Sequence, residues 1–254
     1  MNILVTNDDG IASPGLWALA EALMDTGNVI VVSPDREQSG VGCAVTLHHP
    51  VRVDNVLSPL DGIKAYTVEG TPGDSVVLAS TTIIKERIDL LVSGINHGSN
   101  LGNDVFVSGT VGAAFHGYFR GIPSMAISVT SLTDVRFDAA SMVTRLLAQL
   151  FKDGKLPKEL LLNVNVPNIP TKDLKGIRVT SLGRNSYTEI VETGSDPRRK
   201  YHWIKRTQPA WELEDGTDIF AVENQYISIS PLNTDITDKH LLSILGDIEL
   251  HLHV

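Results

Sequence analysis

The chain opens with Asn2-Ile3-Leu4-Val5-Thr6, and this apolar run leads directly into the turn Asn7-Asp8-Asp9-Gly10. A run of aliphatic residues this short, without helical periodicity, predicts a fully buried strand of a parallel sheet. Asp8 and Asp9 then lie at its carboxyl end, where open α/β sheets bind ligands. Two interpretations stay open here: adjacent carboxylates repel and favour a divalent cation between them, but Asp-Asp-Gly is also ordinary turn chemistry.

Helix and strand candidates alternate after this turn. Ser13 as N-cap and Pro14 in the first turn predict a helix that runs to about residue 25, and a second buried strand follows at 28–33. Further strands are predicted at 51–56, 63–68, 88–93, 122–129 and 160–166, and further helices begin at Asp74, near Ser108 and at 137. This alternation predicts an α/β fold with a doubly wound, mostly parallel Rossmann-like sheet.

The pattern changes after residue 166. Strand candidates at 177–181, 187–192, 201–205 and 226–230 are separated by turns, and little helix is expected before 237–245. We therefore predict a Rossmann-like α/β catalytic core at 1–166. A β-rich C-terminal portion at 167–254, with hairpins and a terminal helix, is expected to serve oligomerisation.

Composition excludes several functional classes. The 254 residues are 42% apolar, and no apolar run approaches the roughly 18 residues of a membrane helix. A formal net charge of −9 argues against binding to nucleic-acid duplexes or to anionic membranes. The single cysteine excludes an internal disulfide, and no basic signal sequence precedes the first strand. We expect a cytoplasmic protein that does not bind membranes.

Two further polar loops follow predicted strands. The loop at 35–45 carries Ser39, and the segment at 94–104, rich in Gly and Asn, carries Asn96. Because the carboxyl ends of parallel strands meet at one edge of a sheet, these side chains are expected near Asp8 and Asp9. The candidate ligands are all oxygens, and no Cys/His spacing suits zinc. The set therefore favours Mg²⁺ or Mn²⁺.

Ser108-Gly109-Thr110 is predicted to begin a helix after the third loop. Free N–H groups and the helix dipole make such a start a phosphate site, although it is equally typical of a well-capped, closely packed helix. A hard cation beside a phosphate site permits metal-assisted hydrolysis of a phosphoester. Either Asp8 or Asp9 could orient the attacking water, and the residues alone do not distinguish them.

Several motifs together resemble the SurE family of metal-dependent 5′-nucleotidases (survival protein E). They occur in family order, beginning with Ile3-Leu4-Val5-Thr6-Asn7-Asp8-Asp9-Gly10. The others are Ser33-Pro34-Asp35-Arg36-x-x-Ser39-Gly40, Val92-Ser93-Gly94-Ile95-Asn96-x-Gly98-x-Asn100-Leu101-Gly102, Val107-Ser108-Gly109-Thr110-Val111, Gly121-Ile122-Pro123 and Asn163-x-Asn165-x-Pro167. The match is looser farther on, so the resemblance covers chiefly the N-terminal two-thirds of the chain.

This resemblance implies a site and an activity. The family's metal ligands correspond to Asp8, Asp9, Ser39 and Asn96, which would bind one divalent ion, Mg²⁺ or Mn²⁺, per subunit. Its phosphate contacts correspond to Gly40, Asn96, Ser108, Gly109 and Thr110. Family members hydrolyse nucleoside 5′-monophosphates, many also hydrolyse 3′-nucleotides and short polyphosphate, and they assemble as homodimers or homotetramers with an exchanged C-terminal segment.

Three other classes compete with this interpretation. A signalling receiver domain also binds Mg²⁺ through an acidic pair, but it requires a phosphoacceptor Asp and a Lys at later strand ends, where this chain has Ser93-Gly94-Ile95-Asn96 and Ser128-Val129-Thr130. Haloacid dehalogenase-like enzymes use Asp-x-Asp to form an aspartyl intermediate, whereas the aspartates here are adjacent. A nucleotide-binding module without catalysis stays open, because fold does not fix function.

Overall fold

A nine-stranded sheet forms the centre of the protein. A computed structural model describes residues 1–186, 189–196, 199–206, 210–211 and 213–248. The strands of the sheet are β1 (Asn2–Thr6), β2 (Asn28–Pro34), β3 (Val53–Val56), β4 (Lys64–Val68), β5 (Leu90–His97), β6 (Ser124–Val129), β7 (Leu161–Val166), β8 (Ile177–Val179) and β13 (Ile227–Pro231). Their spatial order is β3-β4-β2-β1-β5-β6-β7-β13-β8. Strands β2 and β4 are added on one side of β1, and β5, β6 and β7 on the other. The acidic turn after β1 therefore lies at the point where the strand order switches.

Helices cover both faces of this sheet. They are α1 (Pro14–Leu23), α2 (Pro72–Leu78), α3 (Gly109–Tyr118) and α4 (Asp138–Lys152). The packing of α1 against α4 on one face and of α2 against α3 on the other produces two hydrophobic clusters separated by the sheet. Because both faces are covered, Leu4 and Val5 of β1 are fully buried, as the continuous apolar run predicts.

Most element predictions are confirmed, and the boundary errors include those at α2 and β5. Ser13 lies at the N-cap of α1, as predicted, but its hydroxyl caps no backbone N–H. Helix α2 begins after Thr71, whose hydroxyl accepts from the Asp74 N–H, while Asp74 accepts from the Thr71 N–H in a capping box. Asp74 is therefore the third helical residue and not the cap.

Strand β5 is longer than predicted. Pairing with β6 resumes at Asn96 and His97 after a register irregularity that follows Ser93. The predicted loop from residue 94 is therefore strand as far as His97, and the irregularity lies just before the candidate ligand Asn96. Irregularities of this kind are common beside functional sites.

The C-terminal part contributes to the central sheet and also forms small antiparallel pairs. Strand β13 pairs antiparallel with β7 and parallel with β8. The other strands are β9 (Asn185–Ser186), β10 (Glu189–Ser195), β11 (Lys200–Arg206) and β12 (Ala210–Trp211), which pair as β10–β11 and β9–β12. The predicted strand at 187–192 begins at two residues outside the described ones. The terminal helix is α6 (Lys239–Gly246), and sequence did not predict α5 (Asp218–Glu223), which Thr217 caps.

The predicted fold class is confirmed as α/β with a large, mostly parallel sheet and a small antiparallel addition. The division of the chain at residue 166 stays a prediction, and β8 and β13 complete the sheet that the first part begins. Among the residues that the structure describes, no helix is long and apolar enough to cross a membrane.

Candidate metal and phosphate site

The turn after β1 is held by buried polar contacts. The Asn7 amide donates to the Gly10 carbonyl oxygen at 3.0 Å, and the Ser33 hydroxyl at the end of β2 donates to Asn7 Oδ1 at 2.5 Å. Gly10 has φ of +88°, and a Cβ there would lie 2.8 Å from the Arg36 carbonyl carbon. Only glycine fits this conformation and this space. The turn is therefore fixed before any ligand binds.

Asp8 is buried, with 4% of its surface exposed. Its Oδ1 accepts a hydrogen bond from the Thr110 hydroxyl on α3. Gly109 packs so closely that a Cβ there would lie 2.9 Å from Asp8 Oδ2. Burial raises the pKa of Asp8 to about 6, the Thr110 hydrogen bond lowers it, and the charge of Asp9 adds to the rise. Ionised Asp8 thus lies in surroundings that favour an added positive charge.

Asp9 is half-buried beside Asp8. The His97 backbone N–H at the end of β5 donates to Asp9 Oδ2 at 3.3 Å. Burial raises the pKa of Asp9 to about 6, the His97 hydrogen bond lowers it, and the charge of Glu37 raises it further. A divalent cation bound between two such carboxylates would stabilise their ionised forms.

Ser39 and Asn96 reach the site from the loops after β2 and β5. The Gln38 N–H donates to the Asp8 carbonyl oxygen at 2.7 Å, which ties the Ser39 loop to the acidic turn. Ser39 is exposed, and its hydroxyl donates to Glu37 Oε1 at 2.7 Å. The Asn96 amide nitrogen donates to the Gly98 carbonyl oxygen at 2.7 Å, so the amide oxygen is the group that can ligate a cation.

Helix α3 begins as predicted, with Ser108 at its N-cap. The Ser108 hydroxyl accepts from the Val111 N–H at 3.2 Å. Ser108, Gly109 and Thr110 are buried, so the amide groups of the first turn lie in a region from which water is largely excluded. An anion bound at such a start gains from both the N–H groups and the helix dipole. The Thr110 side chain, predicted to contact phosphate, is already engaged with Asp8.

A cavity of about 450 Å³ opens at this edge of the sheet. The predicted residues in its wall are Asp8, Ser39, Gly40, Asn96 and Ser108, whereas Asp9, Gly109 and Thr110 are outside the wall. His97, which the variable position of the Gly-Ile-Asn-x-Gly motif suggested as a substrate or rim contact, also lines it. The remaining lining residues were not assigned to the site from sequence, namely Gly98, Ser99, Asn100, Asp104, Val107, Thr130, Ser131 and Leu132. The loop after β6 is the main element that sequence reasoning missed.

A buried asparagine network supports the wall at Asn100. The Asn100 N–H donates to Asn165 Oδ1 at 2.8 Å, and its amide donates to the Ser128 hydroxyl at 2.8 Å. Asn163 and Asn165 both donate to the Asn100 carbonyl oxygen. The sequence did indicate such a network, because Asn163 and Asn165 interrupt the apolar β7 sequence and buried amides require hydrogen-bond partners.

Asp218 at the start of α5 supports the next part of the same segment. Its carboxylate accepts from the N–H groups of Gly102 and Gly183 at 2.8 and 2.7 Å. Burial raises the pKa of Asp218, and these backbone hydrogen bonds lower it in part. The C-terminal part thus helps to hold the segment between Asn96 and Ser108.

The donor set suits a hard cation. Within the described ranges, no group of three or more His, Cys, Asp or Glu side chains could hold a metal. The candidate site instead combines two carboxylates with a hydroxyl and an amide oxygen. Oxygen sets of this kind bind Mg²⁺ and Mn²⁺, which complete their coordination with water or substrate oxygens.

The chain is similar in sequence and in fold to proteins of one family. The sequence model of the family described as Survival protein SurE matches residues 3–189. A protein of Dehalococcoides mccartyi (strain CBDB1), named 5′-nucleotidase SurE, is 49% identical over 246 residues, covering 96% of this chain and 93% of the relative. A Geobacter sulfurreducens protein of the same name is 45% identical over 252 residues, covering 98% and 94%. The crystal structure of the SurE protein from Aquifex aeolicus superposes with a TM-score of 0.79 at 38% identity, covering 97% of this chain and 100% of that one.

Proposed function

This chain belongs to the SurE family, and we propose that it acts as a metal-dependent 5′-nucleotidase. The observation that carries the proposal is the convergence of Asp8, Ser39, Asn96 and Ser108 on one cavity at the carboxyl edge of the sheet. Curated relatives named 5′-nucleotidase SurE cover nearly the whole chain, which supports the same activity here.

Asp8, Asp9, Ser39 and Asn96 would bind one Mg²⁺ or Mn²⁺ ion. The bound cation supplies positive charge to the phosphoryl group and makes water a better nucleophile. Asp8 is suited to ligation through Oδ2, because the Thr110 hydroxyl engages Oδ1 and fixes the carboxylate plane. Asn96 is similarly oriented by its bond to the Gly98 carbonyl oxygen.

The start of α3 and Gly40 would hold the phosphate. Gly40 has φ of +75°, and no atom lies within 4 Å of the position that its Cβ would occupy, so its backbone faces open space. The amide groups of Gly109 and Thr110 belong to the first turn of the helix and have no partner four residues earlier within the helix. We assign one role, stabilising the negative charge that develops on the phosphoryl oxygens, to Gly40, Asn96, Ser108, Gly109 and Thr110.

A carboxylate that is not fully engaged would orient the attacking water. The Asp8 carboxylate accepts a hydrogen bond from the Thr110 hydroxyl, and the Asp8 carbonyl oxygen accepts one from the Gln38 N–H, so Asp8 is the more constrained of the pair. Asp9 accepts one backbone hydrogen bond at 3.3 Å and is half-buried. We therefore assign ligation chiefly to Asp8, and to Asp9 both ligation and contact with the water that attacks phosphorus.

We also propose that the chain works as a homodimer or homotetramer. Helix α6 exposes Leu241, Leu242, Ile244 and Leu245, and hairpin β10–β11 exposes Trp203 and other apolar side chains. Several large apolar side chains exposed on one helix and one hairpin favour an interface. Light scattering coupled to size-exclusion chromatography measures the mass directly, and a monomeric mass at micromolar concentration would contradict the proposal.

A substrate panel tests the activity. Purified protein is assayed for phosphate release from adenosine and guanosine 5′-monophosphates, a 3′-nucleotide, tripolyphosphate and an aryl phosphate, with and without chelator. We expect hydrolysis of the 5′-monophosphates, its loss after chelation and its return with Mn²⁺ or Mg²⁺. Hydrolysis that persists after complete removal of metal, or no hydrolysis of any substrate with either ion, would refute the proposal.

A further inference from the structure

A second cavity, of about 410 Å³, adjoins the candidate site. Ser99, Thr130 and Ser131 line both cavities, so the accessible space continues from the proposed phosphate end past the loop after β6. Glu223 and Gln225 line the second cavity on the other side. Together the two cavities provide far more room than a cation and a phosphate need, and their combined size is that of a site for a small organic ligand.

The loop at residues 130–136, between the two cavities, is tied to a single residue, Asn168, through its side chain and its backbone N–H. The Asn168 amide donates to the Asp134 carbonyl oxygen at 3.2 Å, and Asn168 Oδ1 accepts from the Arg136 N–H at 2.8 Å. The Asn168 N–H also donates to the Thr130 hydroxyl at 3.1 Å. Asn168 thus fixes both ends of the loop, which follows β6, from a position just after β7.

The fixed loop holds Leu132 at the edge of the first cavity. Leu132 is 78% exposed yet belongs to the cavity wall. Gly98 lies beneath it, since a Cβ on Gly98 would lie 3.0 Å from Leu132 Cδ2. The Ser131 hydroxyl donates to the Thr133 carbonyl oxygen at 2.6 Å, which tightens the loop around Leu132. A single exposed leucine is unremarkable by itself, but this one is held by a hydrogen-bonded loop at the wall of the cavity.

We propose that Leu132 contacts the base of the nucleotide and gives the site its preference for nucleotides over smaller phosphomonoesters. The proposal rests on the proposed function, and Leu132 is the residue that would determine the substrate specificity of that activity. The wall beyond the phosphate end combines the apolar Leu132 with serine hydroxyls and the carboxylate of Glu223. That combination suits a neutral base with an apolar face and hydrogen-bond donors, whereas a carboxylate disfavours a further phosphate group. Asn168 is the positioning residue.

Leu132→Ala tests the contact with two substrates that differ chiefly in the base. We expect kcat/KM for adenosine 5′-monophosphate to fall about fivefold to tenfold, mainly through KM, because part of an apolar contact is lost. The value for ribose 5-phosphate is expected to change less than about twofold. Leu57→Ala is the matched control, since Leu57 is 98% exposed and is absent from both cavity walls.

Asn168→Ala and Asn168→Asp test the positioning role. Aspartate keeps the acceptor for the Arg136 N–H but sets a carboxylate oxygen against the Asp134 carbonyl oxygen and adds negative charge to the second cavity, so it should raise KM for adenosine 5′-monophosphate at least as much as alanine does. Equal losses with both substrates in Leu132→Ala, or a loss with neither, would overturn the inference and leave the proposed function intact. Failure of the unsubstituted protein to hydrolyse either substrate would overturn both.

Discussion

Replacement of Asp8 by asparagine is expected to stabilise the metal-free protein while it abolishes hydrolysis. Burial raises the pKa of Asp8 from 3.8 to about 6. Each unit of this rise corresponds to about 1.4 kcal/mol, so ionised Asp8 lowers the free energy of unfolding by up to about 3 kcal/mol. Asparagine is neutral and nearly the same shape, and its Oδ1 can still accept from the Thr110 hydroxyl. The variant should therefore recover most of that free energy.

The stabilisation should depend on pH with a defined sign. Because the pKa of Asp8 is higher in the folded state, the folded state binds more protons than the unfolded chain between about pH 4 and pH 6. The stability of the unsubstituted metal-free protein therefore falls as pH rises through this range. The advantage of Asp8→Asn should be about 3 kcal/mol near pH 8 and shrink to about 1 kcal/mol near pH 4.5.

Urea denaturation in the presence of chelator, at fixed protein concentration, measures this difference. The exposed turn residue Asp61 provides the control Asp61→Asn, for which we expect a change within about 0.5 kcal/mol. Phosphate release by Asp8→Asn with Mn²⁺ should fall at least about a hundredfold, since the substitution removes a ligand charge. A variant that is less stable than the unsubstituted protein at high pH, or one with normal activity, would refute the reasoning.

Two further predictions concern the groups that hold Asp8. Thr110→Val removes the hydroxyl that donates to Asp8 and should raise the Mn²⁺ concentration needed for activity about tenfold to a hundredfold. Thr110→Ser keeps a hydroxyl and should keep normal Mn²⁺ activation. Titration of activity with Mn²⁺ measures both variants, and equal effects would contradict the role of the hydroxyl. Gly109→Ala adds a Cβ 2.8 Å from Asp8 Cβ and should reduce kcat more than about tenfold with circular dichroism unchanged. Full activity in that variant would show that Asp8 can move without loss.

Local sequence predicted those helices and strands whose hydrophobic periodicity and capping residues agree with the packing in the folded protein. The apolar run before Asp8 is β1, and Ser108 caps α3, because burial and local hydrogen bonding favour the same structure there. The capping box between Thr71 and Asp74 was also readable, since its spacing is the usual signature, but the sequence analysis chose the wrong member as the cap.

The differences arise where distant residues determine the local structure. Gly94 and Asn96 are typical of loops, yet pairing of Asn96 with Ser128 extends β5 through them. The contact between Thr110 and Asp8 joins residues 102 positions apart, and Asn168 reaches a loop more than thirty positions earlier. No local pattern encodes such partners, so sequence could name the residue types of the site but not the contacts that orient them.

Anomalous diffraction at the manganese edge tests the central claim most directly. Crystals of the unsubstituted protein grown with Mn²⁺ and inorganic phosphate are expected to contain one manganese peak per chain, within about 2.0–2.4 Å of oxygens of Asp8, Asp9, Ser39 and Asn96. The phosphate should lie against Gly40 and the start of α3. A manganese peak elsewhere, or none at this edge of the sheet in protein that hydrolyses nucleotides with Mn²⁺, would contradict the account.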